Sequence, residues 1–149
     1  MTVRGGDKLA AELQRMAGAV NSAERVKVGF LAGATYPDGT PVAMIAAIHN
    51  WGAPRAGIPP RPFFSNMIGK KQQEWGPATG NLLVANQYDA LKTLQMVGEA
   101  VAGQLRQEIV DTNDPPLAQS TIDRKGFSKP LVDTGHMLNS VDYEVTGVR

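Results

Sequence analysis

Cysteine is absent from this chain, and histidine occurs only twice. The first absence excludes disulfides, thiolate zinc sites and thiol nucleophiles. The second leaves little imidazole for a metal cage or a general base. No apolar run approaches the roughly 18–20 residues that a membrane helix needs. Charge of one sign is also lacking: 15 Lys and Arg against 14 Asp and Glu leave a formal net charge of +1. That balance makes no demand for nucleic acid or an anionic membrane. The N-terminus is polar and amphipathic, without the apolar centre of a signal peptide. The expectation is a soluble protein used in the cytoplasm, or packed into a particle assembled there. No cofactor is expected.

At 149 residues the chain reads as one domain, 1–149, long enough to bury a real core. Leu9, Leu13, Met16 and Val20 form an apolar stripe on an N-terminal helix over 6–20, with Lys8, Glu12 and Arg15 outside it. The remainder of the fold is expected over 26–146. Val26, Val28 and Phe30 alternate with Lys27, Gly29 and Leu31 as a strand. Pro37-Asp38-Gly39 is turn chemistry. Val42 to Trp51 reads as a short buried helix that starts at Pro41 and ends at Gly52, with a buried strand as the alternative. Residues 52–62 hold four prolines and two glycines and are expected to be irregular.

Phe63 to about Trp75 is expected to be helical and to be interrupted by Gly76-Pro77 and Gly80. A long helix is predicted from Leu82 to about Val110. Its buried stripe is Leu94, Gly98, Val101, Leu105 and Ile109, and Gly98 and Gly103 permit close packing. Asn113-Asp114-Pro115-Pro116 stops it. Single helical turns are expected at Ser120–Lys125 and Thr134–Leu138. Val141, Tyr143 and Val145 alternate with Asp142, Glu144 and Thr146 as a second strand, expected to pair with the first. The fold class is α+β: a small antiparallel sheet packed against a long helix and shorter helices, with two long Pro/Gly-rich loops. A third strand near 35–42 is expected to complete the sheet, since a lone two-stranded ribbon is marginal.

Catalytic patterns are absent. His49 has no second ligand at helical spacing and reads as a packed histidine. His136 lies between Asp133 and Ser140, but no Gly-x-Ser-x-Gly surrounds a serine, so a turn histidine is the better reading. Asp111 and Asp114 sit together at a helix end and lack both a cleft partner and a calcium-loop pattern. No phosphate-binding glycine motif occurs. The chain reads as a non-enzyme.

Two loops carry the remaining information. Arg55, Arg61, Lys70 and Lys71 lie on or just after the first, and Arg124, Lys125 and Lys129 lie on the second. They form either a phosphate-facing patch or ordinary solvated charge. Phe63 and Phe64 stand where a loop opens a helix: either one packs inward and the other meets a partner, or both are buried. Trp51, beside Gly52, reads as a core or hinge residue.

Ile48-His49-Asn50-Trp51-Gly52, then Pro59-Pro60-Arg61-Pro62-Phe63-Phe64, then Pro115-Pro116-Leu117-Ala118 with Arg124-Lys125-Gly126 and Lys129-Pro130-Leu131-Val132-Asp133-Thr134-Gly135, form an ordered set. In that order the chain resembles the tailed-bacteriophage neck and tail-completion family, the group of minor tail protein Z-like and virion-morphogenesis proteins, over roughly residues 26 to 146. Asn50 stands where an acidic residue is common, so no charge role carries over to that position.

The resemblance implies a structural virion protein and not an enzyme: a ring at the neck, around the DNA channel, that completes the tail and joins it to the head. Its neighbours would be further copies of itself, a head–tail connector or portal-side adaptor, and a tail terminator or tail tube protein, with genomic DNA passing through. Sixfold symmetry is the expectation because tails are sixfold. A ring needs two different complementary faces, assigned here to the 52–64 and 115–135 loops. The interface candidates are Trp51, Arg61, Phe63, Phe64, Leu117, Arg124, Lys125 and Leu131, and the channel-facing candidates are Arg55, Lys70, Lys71 and Lys129. The competing readings are a small DNA-binding module using the basic loops, and a hydrolase built on His136, Asp133 and Ser140.

Overall fold

A computed structural model describes residues 4–113, 115, 116, 123 and 135–149. The architecture is α+β. In chain order the elements are α1 (Gly6–Val20), β1 (Arg25–Phe30), α2 (Val42–Trp51), a single 3-10 turn (Pro54–Ala56), α3 (Phe63–Ala85), α4 (Ala90–Asp111), α5 (His136–Asn139) and β2 (Val141–Thr146).

The two alternating segments do pair. β1 and β2 run antiparallel, with Val26 opposite Val145, Val28 opposite Tyr143 and Phe30 opposite Val141. Their apolar side chains therefore share one face, which packs on α4. Arg25, Lys27, Asp142 and Glu144 fall on the other face and are exposed. The expected third strand near 35–42 does not form. Thr35 and Pro41 make only an isolated bridge, and among the described residues the sheet is two-stranded. A helix substitutes for the missing strand, because α4 covers the apolar face of the ribbon.

α4 is the central element. Asp89 caps it by accepting the Lys92 N–H at 2.9 Å. Ala90, Thr93, Val97, Val101, Leu105 and Ile109 recur at helical spacing and are buried. Of the expected stripe, Gly98, Val101, Leu105 and Ile109 are buried and Leu94 is half-buried. Gly98 lies under the sheet. A Cβ there would sit 2.5 Å from the Tyr143 ring and 2.9 Å from the Val26 side chain. The expectation of close packing is not met at Gly103, where a Cβ would meet nothing within 4 Å.

The helix boundaries between 63 and 111 differ from expectation. α3 runs straight through Gly76-Pro77 to Ala85. Pro77 has no N–H to donate, and Gly76-Pro77 is exposed to solvent. Two side-chain bonds tie the half of the helix before the proline to α4: the Trp75 indole donates to Gln104 Oε1 at 2.8 Å, and Lys70 Nζ meets Glu108 at 2.6 Å. The break comes instead at 86–89, inside the predicted long helix. Gln87 and Tyr88 both adopt left-handed backbone, with φ of 56° and 65°. The Tyr88 N–H donates to Leu83 O at 2.8 Å, and Asn86 Nδ2 donates to Thr93 Oγ1 at 3.2 Å, which offsets the strain. The result is an α3–α4 helical hairpin.

α1 has the predicted bounds, but its stripe is not a core face. Leu9 and Leu13 are 62% and 55% exposed, and no residue of α1 is buried. α1 leans on the rest of the fold through Arg15, which reaches Gln87 O at 3.4 Å, and the Ser22 hydroxyl just beyond it accepts the Leu91 N–H at 2.9 Å. The core is filled by Val42, Ala46, Phe63, Met67, Leu105, Ile109, Met137 and Val141, from α2 to β2.

Candidate interface at the α2–α3 junction

Gly52 ends α2 with φ 76° and donates its N–H to Ile48 O at 2.7 Å. A Cβ at Gly52 would lie 2.8 Å from Pro60 N and 2.9 Å from Ile58 O, so backbone passes where any side chain would stand. The expected irregular segment 52–62 is closed on itself. Ala53 and Ile58 exchange hydrogen bonds of 2.9 and 3.1 Å across the Pro54–Ala56 turn. The Arg61 N–H then donates to His49 O at 2.7 Å, fastening the loop to the end of α2.

Asn50 organises this junction. It is 3% exposed. Its Oδ1 accepts the N–H groups of Phe64 and Ser65, each at 3.1 Å, and its Nδ2 donates to Ser65 Oγ at 2.9 Å. Two of the donors that the first turn of α3 cannot satisfy internally are thus capped from another helix. A carboxylate can accept the same two N–H groups and is favoured at a helix N-terminus. The physical task at position 50 is therefore capping, which Asn performs without charge.

Arg61 is buried, not displayed. Its Nε donates to Pro115 O at 2.8 Å and its Nη2 to Pro116 O at 3.3 Å. Burial pushes its pKa below the ordinary arginine value. The guanidinium ties the first loop to the start of the second. Phe63 is fully buried, with its ring edge-on to Phe30 (centroids 6.3 Å apart) and to Phe64 (6.4 Å). Phe64 is half-buried. The pair thus divides, with one ring inward and the other on the rim.

Trp51 is not a core residue: it is 72% exposed. It borders an apolar groove of about 270 Å³ between β1 and α2, floored by Ala46, Phe63 and Phe64. Arg55 is exposed on the 3-10 turn. Lys70 and Lys71 belong to α3, and both are paired, with Glu108 at 2.6 Å and Glu74 at 3.5 Å. Leu117, Arg124, Lys125, Lys129 and Leu131 lie outside the described residues, as does the turn expected from Ser120 apart from Asp123.

The hydrolase arrangement is not assembled from the described residues. The Ser140 hydroxyl donates to the backbone carbonyl of His136 at 2.7 Å, while the imidazole Nε2 lies 2.8 Å from Thr35 O and the ring rests on Tyr36, centroids 4.7 Å apart. Asp133 lies outside the described residues. Asp111 accepts from Gln107 at 2.9 Å. Among the described residues no group of three or more His, Asp or Glu is arranged to hold a metal, and no helix is long and apolar enough to cross a membrane.

The arrangement is thus a cross-braced loop with an exposed tryptophan and an apolar groove beside it. Neither a family model, nor a curated protein, nor a solved structure matches the chain.

Proposed function

We propose that this chain is a structural subunit of a tailed-bacteriophage neck, one copy of a ring that completes the tail and joins it to the head around the DNA channel. The observation that carries the reading is the bonding of three stretches that the resemblance matches separately. Asn50 of the first caps Phe64, the last residue of the second, and Ser65 just after it, at 3.1 Å each, and Arg61 of the second holds Pro115 in the third at 2.8 Å. Separate chance matches have no reason to converge on one junction.

In this reading the Trp51 surface and the rim of Phe64 face a neighbouring subunit or the adjoining neck component. The ring, taken as sixfold, stands between a connector or portal-side adaptor and the tail terminator or tube. The protein is assembled in the bacterial cytoplasm and ends in the virion. A DNA-binding module draws less support, since Lys70 and Lys71 are paired with glutamates. Gold-labelled antibody on purified particles tests the proposal. Label confined to the head–tail junction is expected. Label on the head shell or tail tip, or particles free of the protein, overturns it.

A further inference from the structure

A two-stranded sheet has two edges, and here they differ. On β2 the Tyr143 N–H turns onto its own neighbour, Asp142 Oδ1, at 2.8 Å, and the Val141 carbonyl accepts Arg106 Nη2 at 2.9 Å. Positions 141 and 143 share a parity, so these groups point away from β1 and are already engaged. It follows that 142, 144 and 146 face β1, and that on β1 the backbone groups of Val26 and Val28 point to the outer edge. Outside the ladder no described residue bonds them. The Phe64 ring lies beside Gly29, so among the described residues the open stretch is Arg25–Val28.

Open backbone groups invite a strand, and the surroundings define its chemistry. On the inner side, Val26 and Val28 border an apolar depression of about 320 Å³, walled by Phe64, Ile68 and Trp75. On the outer side, Arg25 and Lys27 are exposed, and no described carboxylate forms an ion pair with either. Successive residues of an incoming strand would meet these two environments in turn.

We infer that the free edge of β1 receives an extended segment of another protein, in which apolar residues alternate with acidic ones. β2, with Val141, Tyr143 and Val145 between Asp142 and Glu144, shows the same chemistry on the opposite side of β1. A second copy is a poor occupant. Pairing two β1 edges sets Arg25 and Lys27 against their own kind, and on the β2 edge of a second copy the Val141 carbonyl and the Tyr143 N–H are already engaged. The inference stands on the sheet alone, so its failure leaves the neck reading untouched.

The test uses the full chain and two blocked octapeptides, one of alternating valine and glutamate, the other of alternating valine and lysine. Amide exchange at Val26 and Val28 is read by NMR. The glutamate peptide is expected to slow both amides, while the lysine peptide leaves them unchanged. The double variant Arg25→Gln/Lys27→Gln, with its fold checked by circular dichroism, should bind the glutamate peptide about five- to tenfold more weakly. Three results overturn the inference: no slowing by the glutamate peptide at millimolar concentration, equal slowing by both peptides, or slowing without peptide that grows with protein concentration. The last would make a second copy the occupant.

Discussion

Asn50 holds Ser65 twice: Oδ1 accepts its backbone N–H at 3.1 Å, and Nδ2 donates to its hydroxyl at 2.9 Å. A residue near the end of one helix therefore sets where the next begins, across a closed loop. Truncating it strands two helix-start donors, the N–H groups of half-buried Phe64 and of Ser65. Asn50→Ala should cost about 1–3 kcal/mol, read as a lowered urea midpoint. Asn50→Asp should cost less than about 1 kcal/mol, because the carboxylate introduced keeps both N–H bonds and gains from the helix N-terminus. Equal losses for the two variants would remove the capping role.

The two glycines of α4 should respond in opposite directions. Gly98→Ala drives a methyl into the Tyr143 ring, 2.5 Å away, and should destabilise by about 1–3 kcal/mol. Gly103→Ala meets nothing within 4 Å and should stabilise by about 0.5–1 kcal/mol through helix propensity alone. Thermal melts of both variants check this.

Phe63 and Trp51 separate folding from contact. Phe63 is fully buried, so Phe63→Ala should cost about 3–5 kcal/mol and appear as loss of soluble protein. Trp51 is 72% exposed, so Trp51→Ala should leave stability within about 0.5 kcal/mol while lowering phage titre. A normal titre with Trp51→Ala would remove that side chain from the interface.

Arg61 is the brace between the two loops. Lysine carries the charge but not the fork that spans Pro115 O and Pro116 O. Arg61→Lys should lose about 1–3 kcal/mol in chemical denaturation; a variant as stable as the parent would show the fork to be dispensable.

The two strands, α1 and the buried stripe of α4 were legible in the sequence, because each follows from a period of two or of 3.6; α2 was read from Pro41 and Gly52 at its ends, with a strand as the alternative. The reversal at Gln87–Tyr88 was not, since it is built without glycine or proline from two residues in left-handed backbone. Gly76-Pro77 misled in the other direction: the helix continues through it, with the preceding turns tied to α4 by Trp75–Gln104 and Lys70–Glu108. The stripe of α1 has the period of a core face, but periodicity does not say whether anything covers it, and here Leu9 and Leu13 are exposed. At the candidate site, Arg61 looked like loop charge and is buried, while Trp51, read as core or hinge, is 72% exposed. Asn50 caps a helix whose first turn is 14 and 15 residues away, so no local capping pattern marks it.

Electron microscopy of a lysate from phage lacking this gene tests the central claim most directly. The account predicts filled heads and separate tails, neither joined to the other. Normally joined particles would contradict it and remove the protein from the neck.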